Sequence, residues 1–292
     1  MNKKRYKSEY LVALFFLAPA MIGLVLFRIY PIGLSLVKSL FAVNYSQSTS
    51  QSFVGLKNYV GILKDKYFWE SLVVTLKLNV FINPIQIFLA FVIALLISKN
   101  TLSNRVFRTL FLIPLGVSVA VASSIWGILL NPNKGLINSI LNVFSIAPQA
   151  FLRSPDQALW CIIMIASWCG ISYWMIFLMA GLQEIPESLY EAARVDGASS
   201  SQQLFHITLP LMKRTLLFVT VADTAANFLL FVPMFVLTKG GPANSTNSLM
   251  YEVYASAFVY SDFARSLTLS ILLLLLLMAV ILIEFKLIKT ED

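Results

Sequence analysis

Charged residues are scarce in this sequence of 292 residues: they make up 12% of it, whereas hydrophobic residues make up 58%. Soluble domains carry about 25% charged residues, so the composition excludes a soluble globular protein of this size. A mean hydropathy of +0.79 favours a protein that crosses a membrane several times.

Cysteine and histidine are scarce as well. The two cysteines, Cys161 and Cys169, are separated by about 12 Å of helix rise, which is too far for a disulfide bond. Because His206 is the only histidine, neither a metal site nor a paired acid–base group of an enzyme is expected. The basic residues behind the net charge of +8 flank apolar runs, which indicates membrane topology and not nucleic-acid binding.

Six apolar runs exceed the roughly 20 residues that a transmembrane helix needs. We therefore predict an all-α polytopic integral membrane protein with six transmembrane helices. The first run is interpreted as an uncleaved anchor and not a signal peptide, because it is long and lacks a small-residue cleavage site. The runs are 10–36, 71–97, 107–130, 158–182, 215–237 and 266–288.

The distribution of lysine and arginine predicts the orientation of the chain. With the N-terminus inside, the inner segments hold 12 of these residues over 59 positions, and the outer loops hold 8 over 88. Since cytoplasmic loops are enriched in lysine and arginine, both termini, 1–9 and 289–292, are predicted to be cytoplasmic. The inner segments are then 1–9, 98–108, 183–214 and 286–292, and the outer loops are 37–70, 131–157 and 239–265.

Segment 183–214 is the longest polar interruption between two apolar runs, and it predicts a helix, a turn and a second helix. Pro186 suits a first helical turn, and Gly197 can take the left-handed conformation that ends a helix. One of the serines after it can cap the next helix, with a glutamine three residues on as its capping-box partner. A solvated amphipathic connector would show the same features.

The spacing within this segment resembles the EAA motif of ABC importer permeases. The matching residues are Glu191, Ala192, Ala193, Asp196, Gly197, Ile207, Leu209 and Pro210. The stretches "FVGLKNYVGIL" and "LTKGGPANSTNSLMYEVYASAF" resemble the carbohydrate-uptake branch of the maltose and glycerol-phosphate type. With "YPI" near its start, the chain is similar to the first of two paired permeases, and the resemblance covers nearly its whole length.

The resemblance implies a coupling helix in 183–214 that seats in a groove of a cytoplasmic ATPase. Glu191 would make polar contacts there, Ala192 and Ala193 would permit close approach, and Gly197 would permit the turn. It also implies a second permease, an ABC ATPase dimer and an extracellular solute-binding protein as partners. The solute would be an oligosaccharide or a related sugar or polyol, and the location the lipid membrane of a bacterial or archaeal cell.

Nucleotide chemistry is expected on another chain. No G-x-x-x-x-G-K-[ST] sequence is present, so the chain lacks the loop that cradles a nucleotide's phosphates. We therefore expect no cofactor on this chain, with ATP and magnesium bound by the partner ATPase. The alternative is an ion-gradient-driven secondary transporter with Asp223 as proton carrier, whose uptake would survive ATP depletion and collapse with an uncoupler.

Polar residues deep in the apolar runs are candidates for the solute pathway. Asp223 lies about 12 Å into the fifth run, and Asn227 follows one turn later on the same face. Asp223 can pack against a neighbouring helix, bind a sugar hydroxyl, pair with a cation of the partner permease or be protonated. Asn83 and Asn79 in the second run are further candidates, while Glu284 is expected to snorkel to the interface.

The fourth run adds an aromatic group in which Trp168, Gly170 and Tyr173 are further candidates for the pathway. The rings can stack on sugar rings or pack against neighbouring helices, and both interpretations stay open. Trp168 and Gly170 match the family pattern, but several other positions lack the hydrogen-bonding groups from which a sugar cavity would gain. They predict a cavity that is less polar, that binds weakly or that leaves more of the recognition to the binding protein. These apolar positions are Leu115, Val119, Ala166, Leu230 and Val232.

Overall fold

The structure is a computed structural model that describes residues 3–43, 51–98 and 101–289. The chain divides into two compact units, 1–65 with 253–272 and 66–252 with 273–292. The helices are α1 (Lys3–Leu24), α2 (Tyr30–Ser39), α3 (Lys57–Lys64), α4 (Lys66–Ile97), α5 (Leu102–Leu112), α6 (Val119–Leu129), α7 (Leu136–Val143), α8 (Pro155–Gln183), α9 (Glu187–Val195), α10 (Ser200–Gln203), α11 (Leu209–Leu211), α12 (Lys213–Phe228), α13 (Leu249–Tyr254) and α14 (Phe263–Lys289), and the strands are β1 (Phe41–Val43) and β2 (Gln51–Phe53).

The first unit requires one correction to the predicted all-α fold. Strands β1 and β2 pair antiparallel, with Phe41 opposite Phe53 and their ring centroids 5.4 Å apart. Aromatic and β-branched residues favour such pairs, and the residues 44–50 between the strands lie outside the described part of the chain. The fold is therefore mostly helical, with a small β-pair in the predicted outer loop 37–70.

Helix α3 is held in the first unit by polar contacts. The Asn58 side-chain amide donates to the carbonyl oxygens of Ser39 at 2.7 Å and Phe41 at 3.1 Å. Arg265 Nη1 lies 2.6 Å from Asp65 Oδ2, which pairs the residue after α3 with the start of α14. These contacts hold the described part of the predicted outer loop 37–70 against other residues of the first unit.

The second unit is built around α4 and α8, which pack along each other, with α12 against both. Ala90 and Ala94 of α4 are fully buried in the same core as Met175 and Leu178 of α8. Small residues let helix backbones approach closely in a membrane, where packing and not the hydrophobic effect drives helix association. The residues that carry the predicted solute pathway therefore lie on helices that pack against one another.

Four helices within the described ranges are long and apolar enough to cross a membrane, or up to six if each of two bent helix pairs forms one span. The single helices are Leu14–Ser39, Lys66–Ile97, Pro155–Gln183 and Phe263–Leu287. They contain or overlap the first, second, fourth and sixth predicted runs. The third and fifth runs differ from the prediction.

The third predicted span, 107–130, is not one straight helix. Its two parts, Leu102–Gly116 and Val119–Leu129, meet at an angle of 96°. Pro114 sits in the short 3₁₀ turn after α5 and has no N–H to continue the helical hydrogen bonds. Ser118 then starts α6 afresh, its hydroxyl accepting from the N–H of Val121 at 3.3 Å.

The fifth predicted span, 215–237, is shortened, because α12 ends at Phe228. Pro233 is the N-cap residue of a separate π-helical turn, Met234–Thr238, where its missing N–H leaves no helical hydrogen bond unmade. At its other end α12 makes an angle of 66° with the segment Ser200–Leu211. Apolarity persisted through both breaks, which is why the hydropathy of the sequence did not reveal them.

Candidate functional site

The turn after α9 is built by the backbone, as the sequence predicted. The N–H of Ala198 donates to the carbonyl of Ala193 at 2.8 Å, and that of Gly197 to the carbonyl of Arg194 at 3.1 Å, which together form a Schellman motif. Gly197 has φ = +79°, and a Cβ added there would meet nothing within 4 Å. The position therefore requires glycine for its left-handed backbone and not for space.

A capping box starts the second half of the coupling segment, the name used here for residues 183–214. The carbonyl of the Gln202 side chain accepts from the N–H of Ser199 at 2.7 Å, and Ser199 Oγ accepts from the N–H of Gln202 at 3.4 Å. This confirms the predicted box for that pair. The hydroxyls of Tyr190 and Thr208, 2.9 Å apart, tie the two halves together.

The coupling segment presents a mixed surface. Val195, the last residue of α9, is 88% exposed, and Phe205 is exposed in the second half. Within the described residues, the exposed side chains of Glu191, Arg194 and Asp196 make no hydrogen bond or ion pair. Exposed apolar side chains beside unpaired charges are typical of a surface that a protein partner covers.

The other residues of the EAA pattern differ in exposure. Ala192 is exposed, whereas Ala193 is half-buried, so the first methyl is the more open to a partner. Ile207 and Leu209 are half-buried and Pro210 is exposed. Pro186 is the N-cap residue of α9, one position before the first helical turn in which it was predicted.

Asp223 of α12 lies inside the helix packing of the second unit. Its side chain is 1% exposed, and Oδ1 accepts from the indole N–H of Trp174 at 2.6 Å and from the Asn227 side-chain amide at 2.9 Å. The predicted polar stripe of Asp223 and Asn227 is thus confirmed. One oxygen of the carboxyl group is used within the chain, and Oδ2 is buried without a partner in the described residues.

The hydrogen bonds continue from α12 to α4 and α14. The Asn227 amide donates to Asn83 Oδ1 at 2.7 Å, and the Asn83 amide donates to Thr224 Oγ1 at 2.8 Å. Thr224 Oγ1 in turn donates to Glu284 Oε1 at 2.7 Å. The expectation that Glu284 only snorkels is therefore wrong, because its carboxylate accepts a hydrogen bond from within the helix packing.

Gln86 of α4 belongs to the same region and was missed from the sequence. Its side-chain amide donates to the carbonyl of Ala166 at 2.8 Å and lies over Gly170, where an added Cβ would overlap it. Gly170 therefore makes room for a glutamine of the neighbouring helix. An isolated glutamine in an apolar run was the available signal. The group comprising Asn83, Gln86, Trp174, Asp223, Thr224, Asn227 and Glu284 is called the buried polar cluster below.

Two predicted pathway residues lie outside this cluster and are more exposed. Trp168 is 37% exposed and meets Trp126 edge to face, with centroids 5.9 Å apart. Tyr173 is 44% exposed, and its ring packs against Phe177 at 5.2 Å. Neither the indole N–H of Trp168 nor the hydroxyl of Tyr173 has a hydrogen-bond partner in the described residues, so both are available to a ligand.

A cavity of about 670 Å³ lies beside the buried polar cluster, between α4, α12 and the end of α14. Its lining is mostly apolar and includes Phe88 and Phe228. The polar residues that line it are Asn79, Asn83, Thr220, Thr224 and Glu284. Asn79 Oδ1 and Glu284 Oε2 are buried acceptors without a partner in the described residues. Across the described residues, no group of three or more His, Cys, Asp and Glu side chains is arranged to hold a metal ion.

A known protein family matches more than half of the chain. Residues 86–288 match the family described as binding-protein-dependent transport system inner membrane component. The sn-glycerol-3-phosphate transport system permease protein UgpA of Shigella flexneri is 33% identical over 287 residues, which cover 98% of this chain and 96% of that protein. The UgpA of Escherichia coli strain UTI89 is 32% identical over the same coverage.

Solved structures show the same fold. A chain of a bacterial alginate ABC transporter, in complex with a periplasmic protein bound to an alginate pentasaccharide, superposes with a TM-score of 0.83 at 19% identity. The match covers 96% of this chain and 94% of that one. A chain of a bacterial ABC transporter involved in alginate import gives a TM-score of 0.81 at 21% identity and 98% coverage of both chains.

Proposed function

The chain belongs to the family of inner membrane components of binding-protein-dependent transport systems, and from this premise we propose that it passes an oligosaccharide or a related sugar or polyol inward. The chain is the permease of an ABC importer. The relatives named for sn-glycerol-3-phosphate transport support a solute of this hydroxyl-rich class.

The proposed topology has six spans with both termini in the cytoplasm. Four single helices and two bent pairs supply six spans if each pair counts as one. The bias of lysine and arginine towards the inner segments supports this orientation. The coupling segment then faces the cytoplasm, and the loops 131–157 and 239–265 face a solute-binding protein.

The coupling segment is proposed to dock on a cytoplasmic ATPase dimer that binds ATP and magnesium. The observation that carries this role is the hydrogen-bonded turn at Gly197, beside which Val195 and the charged side chains around it are exposed. This surface has no partner among the described residues of its own chain. The Schellman motif and the capping box stabilise its two helices, so a movement of the ATPase can displace the segment without unfolding it. Closure of the ATPases would thereby move the membrane helices.

A second permease is proposed to complete the solute pathway. The first span is described from Leu14 to Ser39, and no residue of its most apolar stretch of 18 residues is buried. Trp168 and Tyr173 likewise present rings and unpaired donors on an open face. Aromatic rings with a donor at the edge suit sugars, which offer apolar C–H faces and accepting hydroxyls. A partner subunit facing these rings would enclose the solute between two chains.

Asp223 and Asn227 are proposed to hold the helices together and not to bind the solute. Asp223 Oδ1 already accepts two hydrogen bonds and Asn227 already donates within the chain. The family of the chain and this use of Asp223 support an ABC importer over an ion-driven transporter. The solute would then meet a pathway poorer in polar groups, as the apolar residues Leu115, Val119 and Leu230 predicted.

The experiment that tests the coupling role is affinity purification of the chain in mild detergent, with co-purifying proteins identified by mass spectrometry. The informative variant is Val195→Asp, which places a charge on the exposed end of α9. The matched control is Val143→Asp, because Val143 is 80% exposed and also ends a short helix, α7, in a predicted outer loop. We expect an ATPase to co-purify with the wild type and the control and to be lost with Val195→Asp.

Retention of the ATPase by Val195→Asp at the wild-type ratio would contradict docking through α9. Loss of the ATPase from both Val195→Asp and Val143→Asp would mean that an added aspartate acts through folding. The two variants would then give no support to docking through α9. Absence of a second permease from the wild-type preparation would contradict the proposed heterodimer.

A further inference from the structure

A second cavity lies where the membrane helices meet the coupling segment. It has a volume of about 660 Å³ and lies between the end of α8, the start of α12 and Phe285 of α14. Its floor is the contact of α8 with α12, where a Cβ added at Gly181 would lie 2.7 Å from Thr215 Oγ1. We call this the basal cavity.

The polar part of the basal cavity carries an excess of positive charge. Lys213 and Arg214 both line it, against one acid, Glu184. The Arg214 side chain is exposed and makes no hydrogen bond or ion pair in the described residues. Arginine offers five donors in a planar fork that matches the oxygens of a phosphate, so this wall suits a phosphate group.

The backbone adds to the positive electrostatic potential of the basal cavity. Lys213 and Arg214 are the first two residues of α12, a helix of 16 residues whose N-terminus has no side-chain cap. The N-terminus of a helix carries a partial positive charge that favours an anion. The cations and the helix end therefore act in the same direction.

The rest of the basal cavity is apolar and extends into the membrane part of the helices. Leu217 lies one turn beyond Lys213, about 6 Å further along α12, and Leu211 and Phe285 line the other sides. A free inorganic phosphate would leave these walls uncovered. An amphiphile with an anionic head and an apolar tail would satisfy both parts.

We propose that the basal cavity binds the phosphate of an anionic phospholipid headgroup, with the glycerol region and first methylenes of the lipid against the apolar walls. Basic pockets between membrane helices on the cytoplasmic side bind such headgroups. Glu184 would accept a hydrogen bond from a headgroup hydroxyl, which favours phosphatidylglycerol over phosphatidylcholine. The site depends on the proposed function only in that the coupling segment lies at a membrane face.

The test is native mass spectrometry of the full chain in detergent, titrated with phosphatidylglycerol or phosphatidylcholine. The variant is Lys213→Gln with Arg214→Gln. The matched control, Lys134→Gln with Lys239→Gln, removes the same charge from two predicted outer loops. We expect the first variant to raise the Kd of the first bound phosphatidylglycerol about tenfold or more, and the control to change it less than about twofold. Arg214→Lys, which keeps the charge, checks that the site survives substitution.

Equal affinities for the two lipids, or equal losses in both double variants, would overturn the proposal, since the attraction would then be general. Displacement of the lipid by millimolar inorganic phosphate would overturn the lipid source and assign the cavity to free phosphate. Lipid binding is measured without an ATPase, so its failure is distinguishable from a failure of the coupling role.

Discussion

The coupling segment and the buried polar cluster are both polar regions of a very apolar chain, but they are built in opposite ways. The bonds of the Gly197 turn and the Ser199 cap join residues three to five apart. Those of the cluster join Trp174 to Asp223 and Asn83 to Thr224, which are 49 and 141 positions apart. Substitutions in the coupling segment should therefore disturb a surface. Substitutions in the buried polar cluster should disturb the packing of the helices.

The largest effect is expected in the buried polar cluster, for Asp223→Ala. The change leaves the indole N–H of Trp174 and one amide hydrogen of Asn227 without their acceptor. We expect it to lower the free energy of unfolding by about 1–3 kcal/mol. Thermal unfolding in detergent can be followed by maleimide labelling of Cys161, which is buried in the folded chain.

Asp223→Asn is the control, because the side-chain oxygen of asparagine can still accept both hydrogen bonds. The free energy of unfolding of this variant should lie much closer to that of the wild type. Wild-type stability of Asp223→Ala combined with loss of transport would contradict the packing role. The carboxylate would then have to face the solute or a cation of the partner permease.

The next effect is expected at Gly170, where Gln86 fills the space of a side chain. Gly170→Ala forces the Gln86 amide away from Ala166 and should destabilise the chain by about 1–3 kcal/mol. Gly33→Ala in α2 is the matched control, since a Cβ there meets nothing within 4 Å and alanine is the better helix former. Equal thermal unfolding of the two variants would mean that α4 and α8 do not pack this closely.

The same contrast explains what the sequence could predict. The Gly197 turn and the Ser199 cap follow from residues a few positions apart, so turn and capping rules suffice for them. Asp223 and Asn227 were found together because one helical turn separates them. That pairing, too, is local.

The long-range partners could not be derived in this way. No rule of spacing links Gln86 to Gly170, or Thr224 to Glu284, because these contacts depend on how the helices pack. The bend after Pro114 and the early end of α12 at Phe228 were missed for a related reason. Hydropathy stays high where an apolar helix breaks, and proline alone does not decide between a kink and an end.

In the coupling segment the effects should be smaller on stability and larger on partner binding. Gly197→Ala puts a Cβ on a residue with φ = +79°, which costs about 1–2 kcal/mol in a left-handed conformation. We expect the end of α9 to lose protection in hydrogen exchange and the co-purified ATPase to decrease. Gly61→Ala in α3 has open space and no positive φ, and it should change neither measurement. A Gly197→Ala protein that keeps the protection and the ATPase of the wild type would show that the turn is not required.

The smallest effect is expected for Ser199→Ala, which removes the hydroxyl that caps α10. Loss of an N-cap costs about 1 kcal/mol locally, and α10 is too peripheral for this to move the unfolding temperature of the whole chain strongly. Hydrogen exchange of the amides of 200–203 should therefore quicken while Cys161 labelling stays near the wild type. Ser200→Ala is the matched control, because its exposed side chain has no hydrogen bond in the described residues. Faster exchange in both variants would trace the effect to the loss of any serine, whereas faster exchange in Ser199→Ala alone would place it in the cap.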